Sequence, residues 1–266
     1  MQKLLIVGKT SFLASRFLSH CEDNSSISAV RRFDDIKSIL EPDSVVINFG
    51  IHPSYITEPY SEKNDVDLTI AKEISKSNIH QIMISTRQVY SQKNAIGITE
   101  DFMLDPVTQY GKNKLTTELK LQEILWDNLS ILRLSNIFGF ELNRMTFCGV
   151  ALTSLKKTGK IYLDINPGIN KDFLPVDCFA EILYRFIQTL QPGVFNLCSG
   201  CPTSVGSFAN CLIEGYGKGS VEVVLDRIFD SFTMDNSKIM GLIDFSFNNK
   251  EILKCALKYG AMLKNA

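Results

Sequence analysis

The chain has 266 residues, 45% of them hydrophobic, enough for one large domain or two modest ones with a proper core. Its 28 basic and 29 acidic residues leave a net charge of -1 without a long basic run, so neither nucleic acid nor an anionic membrane surface is indicated; a small molecule is the expected ligand. The apolar run Leu4 to Val7 is too short for a signal-peptide core and no later stretch is long enough to span a bilayer, which makes the cytoplasm the expected compartment.

Seven cysteines, an odd number scattered through predicted strands and helices, favour reduced thiols over a disulfide framework. Cys198 and Cys201 form a single CxxC without a second pair or a clustered histidine, and His20, His52 and His80 share no metal-ligand spacing, so no metal site is expected.

Lys3 to Val7 reads as a buried parallel strand that ends at Gly8 and runs into a helix with Phe12, Leu13, Phe17 and Leu18 on its apolar face and Thr10 or Ser11 as cap. Set against the three spaced glycines of a dinucleotide-binding turn, only Gly8 matches; Ser11 and Ala14 hold the other places, both small enough for backbone to approach a pyrophosphate. An ordinary strand-helix turn is the alternative. A second strand, Ile27 to Val30, ends in Arg31-Arg32, about twenty residues on, where an acidic residue suits NAD and arginine suits the 2′-phosphate of NADP. These arginines favour NADP(H), the alternative being a solvated basic strand end.

After an abbreviated second crossover come a third strand, Ser44 to Phe49, a helix over 62–77 with Val66, Ile70, Ala71 and Ile74 inward, and a fourth strand, Ile79 to Ser85. Strand and helix alternate, which implies a parallel sheet covered on both faces, with ligands beyond the carboxyl ends of its strands. Gly8, Arg31, Phe49-Gly50 and Ser85-Thr86 fall at such ends.

A long helix over 107–126, with Leu115, Leu119 and Leu125 in its apolar set, carries Tyr110 and Lys114. Four residues is just over one helical turn, so phenol and ammonium share a face, and a neighbouring cation stabilises phenolate. Taken alone the pair reads as a surface Tyr and Lys sooner than as a catalytic one. The fifth strand is Leu129 to Leu134. Beyond Gly139, prolines and glycines divide shorter elements, with helices near 178–190 and 204–215 and a strand at 221–225. Gly215-Tyr216-Gly217-Lys218-Gly219 follows a helix, not a strand, and reads as a helix stop, not a phosphate loop.

In their order and spacing these pieces resemble the extended short-chain dehydrogenases/reductases, the NAD-dependent epimerase/dehydratase group that acts on nucleotide-activated sugars. The resemblance rests on Gly8 through Ser15, Val46 through Gly50, Asn64 opening the fourth helix, Ile84-Ser85-Thr86-Arg87-Gln88-Val89-Tyr90, Thr99-Glu100 through Asp105-Pro106 to Tyr110-Gly111-Lys112-Asn113-Lys114 and Glu118, Leu132 through Gly139, and Lys171 through Asp177. It implies a Rossmann-like doubly wound parallel sheet, mainly residues 1–140, with a smaller C-terminal substrate-binding α/β lid, mainly 141–266, some of which returns to the first domain. It further implies Tyr110 as proton donor or acceptor, Lys114 on the nicotinamide ribose, and Thr86 on the reacting oxygen. Gly8, Thr10, Ser11, Phe12, Leu13, Arg31, Arg32, Phe49, Gly50, Ser85, Tyr110 and Lys114 would meet the cofactor. Thr86, Arg87, Asn136 and Lys171 would meet a nucleotide-diphospho sugar, and the helices over 62–77 and 107–126 would pair in a homodimer.

Arg87-Gln88 stands where dehydratases of this group place an Asp-Glu pair, and neither side chain serves as a carboxylate acid or base. The glycine turn and the short second crossover also resemble the 4-dehydrorhamnose reductases. The implied activity is NADPH-dependent 4-ketoreduction of a nucleotide-diphospho-4-keto-6-deoxy sugar, in deoxysugar and polysaccharide biosynthesis. The alternatives are a nucleotide-sugar 4-epimerase with tightly held NAD and a non-catalytic nucleotide-binding member.

Overall fold

The computed structural model describes residues 3–21, 26–31, 40–91, 95–226, 231–246 and 248–266. Six strands pair in parallel into one sheet, in the spatial order Ile27–Val30, Leu4–Val7, Val45–Asn48, His80–Thr86, Leu129–Leu134 and Gly193–Leu197. This is a Rossmann-like α/β fold. The chain moves outward from the first strand on one side, then crosses back to build on the other, so the switch point lies between Leu4–Val7 and Val45–Asn48.

The strands are near-continuous apolar runs because both faces are covered. Leu4, Ile6, Ile47 and Ile84 meet Phe17 of the helix Phe12–His20 and Phe179, Leu183 and Phe186 of the helix Val176–Thr189. Alternate residues, Leu5, Val7, Val46, Met83 and Ile131, meet Ile70 and Ile74 of the helix Val66–Ile74 and Leu121 and Leu125 of the helix Gln109–Leu125.

Five parallel strands are expected from the sequence, with some of the later chain returning to their domain; Gly193–Leu197 is the sixth strand, a short run behind Pro192 that pairs with Leu129–Leu134. The helix expected over 62–77 is shorter: Glu62–Asn64 forms a separate 3-10 turn, and Asp65, not Asn64, caps Val66–Ile74 by accepting from the Leu68 amide at 3.0 Å. Ser75 and Ser77 then hydrogen-bond the carbonyls of Lys72 and Ile74 and end it. On the long helix Leu119 is 51% exposed, and the buried face carries Asn113, Lys114, Thr117 and Glu118 beside Leu121 and Leu125. An apolar set chosen by spacing misses this, because the helix packs onto buried polar partners.

One partner is Arg133 on Leu129–Leu134, whose guanidinium donates to Glu118 at 2.7 Å with the two side chains 4% and 1% exposed. Glu118 also accepts from Ser85, so one carboxylate ties the long helix to two neighbouring strands. A second, smaller sheet joins Pro202–Ser204, Asn170–Pro175, Phe232–Met234 and Ala95–Ile98, with Asn136–Phe138 beside Asn170–Pro175. Its core stacks Phe173 on Phe208 at 4.4 Å and sets Phe138 edge-on to Phe208 at 4.8 Å. The helix Val205–Tyr216 ends at Gly217 with φ +83, a left-handed stop as its glycines imply.

No disulfide joins any of the seven cysteines. His80 is buried against Ser130, His20 lies 3.0 Å from Glu181, and the His52 ring accepts from the Ser54 amide. Among the described residues no cluster could hold a metal ion and no helix is long and apolar enough to cross a membrane.

Candidate active site

At the carboxyl ends of the strands the glycine turn, the Thr86 turn and the second sheet open onto one cavity of about 620 Å³. Gly8 sits at φ +81 with a Cβ position only 2.5 Å from the Gly50 amide nitrogen, so the first and third strand ends cross at contact distance and only glycine fits there. The amides of Gly8 and Lys9 both donate to the Val30 carbonyl, at 3.0 and 3.1 Å, which fixes Arg31 beside the turn. Ser11 caps the following helix by accepting from the Ala14 amide at 3.2 Å, leaving the helix N-terminus at the cavity wall.

Thr86 ends its strand, and its hydroxyl accepts from the Gln88 amide at 3.3 Å, shaping the 3-10 turn Arg87–Val89. The long helix lies directly on this turn. Its cap Thr108 accepts from the Gly111 amide at 3.0 Å and donates to the Gln88 side chain at 2.6 Å. Tyr110, the second residue of the helix, is half-buried with its ring edge-on to Tyr55 at 6.5 Å.

Lys114, one turn further, is 3% exposed. Its ammonium donates to the Ile84 carbonyl at 2.8 Å and lies 3.5 Å from Asp67 Oδ2 on the helix Val66–Ile74. Burial works against its charge, but Asp67, Tyr110 and Asp65 outweigh it and hold the lysine above its ordinary value. Burial pushes the Asp67 carboxyl up to about 6, Lys114 pulling it down and Asp65 adding to the rise.

The cavity lining includes Ser11, Phe12, Leu13, Phe49 and Ser85 of the expected cofactor set, all three of Thr86, Tyr110 and Lys114, and Arg87, Asn136 and Lys171 of the expected substrate set. Gly8, Thr10, Arg31 and Gly50 are not part of the lining; they shape or flank the turn, and Arg32 lies outside the described residues. Arg87 Nε donates to Asn136 Oδ1 at 3.1 Å with its guanidinium 4.9 Å from the Phe232 ring, and Asn136 donates on to the Asp172 carbonyl at 2.7 Å.

Sequence reasoning passes over Asn48, Arg144, Thr146, Phe147 and Asp164 in the lining, and Asp67 behind it. Arg144 lies 4.5 Å over the Phe12 ring and joins the lid to the glycine-turn helix. No local signal marks it, because the contact spans more than a hundred residues of chain. For Asp67 a signal exists: a carboxylate amid the apolar face of a helix needs a buried partner.

Chemically, the site brings a phenol, a hydroxyl and a charged lysine to the wall of one cavity whose far side carries lid residues. Such a wall can hold a ligand carbonyl, donate a proton to its oxygen and bind hydroxyls nearby.

No protein-family model and no curated protein matches the sequence. Solved structures do. The UDP-N-acetylglucosamine 4-epimerase from Methanobrevibacter ruminantium M1, in complex with UDP-N-acetylmuramic acid, superposes with a TM-score of 0.84 at 16% identity over 98% of this chain and 97% of that one. RMD from Pseudomonas aeruginosa, complexed with NADPH, gives 0.80 at 15% identity over 100% and 99%. The NAD-dependent NDP-hexosamine 5,6-dehydratase TunA gives 0.77 at 15% identity over 98% of each. At such identities the likeness establishes the fold alone: over 98% or more of its length this chain has the fold of these three proteins.

Proposed function

We propose that the protein is a nucleotide-sugar oxidoreductase, an NADPH-dependent 4-ketoreductase of a nucleotide-diphospho-4-keto-6-deoxy sugar. The observation that carries this reading is one cavity lined jointly by Ser11, Phe12 and Leu13 of the glycine turn, by Thr86, Tyr110 and Lys114, and by Asn136 and Lys171.

The residues present fit a nicotinamide dinucleotide. Gly8 and Gly50 bring two strand ends into contact beneath the turn, the Ser11-capped helix offers its N-terminus to a pyrophosphate, and Lys114 presents a buried charge where ribose hydroxyls would lie. When bound, the cofactor supplies the hydride and the protein supplies orientation and protons. Thr86 and Tyr110 hydrogen-bond the substrate carbonyl oxygen; as negative charge gathers there, the Tyr110 phenol gives up its proton to it. Lys114 steadies the phenolate left behind and binds the ribose. Asn136 and Lys171 hold the diphosphate, beside Arg87, which donates to Asn136.

Reduction is favoured over dehydration because Arg87 and Gln88 follow Thr86 directly, so no carboxylate stands there to move a proton at the neighbouring carbon. It is favoured over epimerisation by Arg31 beside the glycine turn, which suits a cofactor bearing a 2′-phosphate and exchanged at each turnover. The 4-epimerase reading draws on the UDP-N-acetylglucosamine 4-epimerase likeness and requires NAD that stays bound. We place the protein in the cytoplasm as a homodimer joined through Val66–Ile74 and Gln109–Leu125, since the outer face of the long helix leaves Leu119 exposed.

The test is NADPH consumption with a nucleotide-diphospho-4-keto-6-deoxy sugar. Wild type turns over, and Tyr110→Phe loses about 10²- to 10⁴-fold in kcat. NAD carried through purification together with interconversion of C4 epimers would instead establish the epimerase, and Tyr110→Phe at full activity would remove the assignment of the phenol.

A further inference from the structure

The least expected group near the site is a carboxylate. Asp67 belongs to the helix Val66–Ile74, whose other buried residues are Leu68, Ile70, Ala71 and Ile74, so by pattern its place belongs to the apolar face. It is 4% exposed, stands behind Lys114 as seen from the cavity, and makes one ion pair, at 3.5 Å from the Lys114 ammonium. Its other oxygen, Oδ1, is buried without a hydrogen-bond partner among the described residues. An unshared buried carboxylate costs several kcal/mol unless an opposite charge offsets it, and the same holds for a lysine 3% exposed. Each of the two charges is therefore offset first by the other, with the Asn48 side chain adding to the support of Asp67 and the Ile84 carbonyl to that of Lys114.

We propose that Asp67 is a positioning residue: its carboxylate is the counter-charge that keeps Lys114 protonated and anchored at the Ile84 carbonyl, at the height where its ammonium meets the ribose of a nicotinamide cofactor and the Tyr110 phenol. The proposal rests on the reading of Lys114 as a cofactor-binding lysine and adds what sustains its charge.

The surroundings support this division of labour. Asp65, which caps the same helix, is spent on the cap and on Tyr60 and Thr117, from which it accepts at 2.8 and 2.6 Å, and Glu73 lies on the exposed face of the helix. Tyr55 bonds Thr117 at 2.5 Å and turns its ring to Lys114 at 5.5 Å, and burial keeps its phenol far above its ordinary value, so Tyr55 adds no negative charge. On the long helix Glu118 is taken by Arg133 and Ser85. Among the described residues Asp67 is the carboxylate within ion-pair distance of Lys114, Asp65 acting on it from further off. The titration behaviour agrees in sign: Asp67 is among the groups that hold Lys114 above its ordinary value, and Lys114 restrains the rise that burial imposes on Asp67.

The experiment follows the lysine itself. In the full-length protein labelled with ¹³C at lysine Cε, the Lys114 signal is identified by its loss in Lys114→Met and titrated with pH in wild type, Asp67→Asn and Asp67→Glu. Asp67→Asn, whose shape is nearly unchanged, brings the loss of the Lys114 proton down by about one pH unit or more, and Asp67→Glu restores most of it. A folded Asp67→Asn protein whose Lys114 titrates as in wild type overturns the proposal. Should Asp67→Asn not fold, Lys114→Met reads the pair from the other side: the Asp67 carboxyl, followed by ¹³C at aspartate Cγ, must titrate at higher pH than in wild type, and an unmoved midpoint overturns the proposal equally. Neither measurement needs cofactor or substrate, so an absence of NADPH binding would sink the functional reading and leave the Asp67–Lys114 result standing.

Discussion

Gly111 touches Gln88: a Cβ on Gly111 would stand 2.3 Å from the Gln88 carbonyl oxygen. The contact seats the first turn of the long helix on the Arg87–Val89 turn, and it thereby sets Tyr110 relative to Thr86 across the cavity wall. Neither side chain is placed by its own helix or strand alone.

Gly111→Ala is therefore expected to push the helix off the turn. The overpacking costs about 1–3 kcal/mol, read as a lowered melting temperature. The loss of turnover should exceed what that destabilisation explains, because the phenol is displaced from the Thr86 hydroxyl; measurement well below the melting temperature separates the two effects. Ser at this position should behave like Ala.

Arg31 follows Val30, whose carbonyl accepts from both Gly8 and Lys9. Replacing Arg31 and Arg32 by Ala should weaken NADPH binding by about 10- to 100-fold, the range for losing one charged hydrogen-bonding partner, and NADH binding far less. Fluorescence titration of both cofactors measures it, and equal losses would count against NADP(H).

The Arg133–Glu118 pair should behave as a buried unit. Arg133→Met leaves the Glu118 carboxylate buried without its cation and costs about 3–5 kcal/mol in denaturant unfolding. Arg133→Met with Glu118→Leu should recover much of that loss. If the double variant is no more stable than the single, the cost lies in packing and not in the uncompensated charge.

His80 makes stability depend on pH with a definite sign. Burial lowers its pKa from 6.5 to about 4, and its Nε2 sits 2.7 Å from the Ser130 hydroxyl, which itself donates to the Gln191 carbonyl and so accepts from a neutral Nε2–H. As the pH falls through about 6.5, the unfolded chain takes up a proton that the folded one refuses until about 4. The histidine's contribution is thus fully present above 6.5 and is lost toward 4, by about 3 kcal/mol at the acid end. His80→Gln should flatten the stability curve over that window, as measured by chemical denaturation at several pH values.

Much of the fold is written locally. Leu4–Val7 and Val45–Ile47 are apolar throughout, and Ile82–Ile84 and Ile131–Leu132 form the apolar centres of the next two strands, because a parallel sheet is buried on both faces; the alternation with helices indicates the parallel topology. Thr86, Tyr110 and Lys114 are legible for a related reason: each occupies a strand end or one helical turn, so its placement follows from short-range geometry, and all three reach the cavity.

The tertiary structure alone decided the rest. The sixth strand, Gly193–Leu197, is too short and too closely preceded by Pro192 to announce itself, and it becomes a strand by pairing with Leu129–Leu134. Asn64 yields the cap to Asp65, and Leu119 turns outward because the long helix spends its inner face on Arg133, Ser85 and Asp67. Arg144 over Phe12 and Asp67 behind Lys114 are unions of distant segments. Hydrophobic pattern is a record of which residues avoid water, and it marks strands and helix faces well. Paired buried charges and contacts across the fold leave no period in the chain, since each partner is intelligible only once the other has been brought beside it.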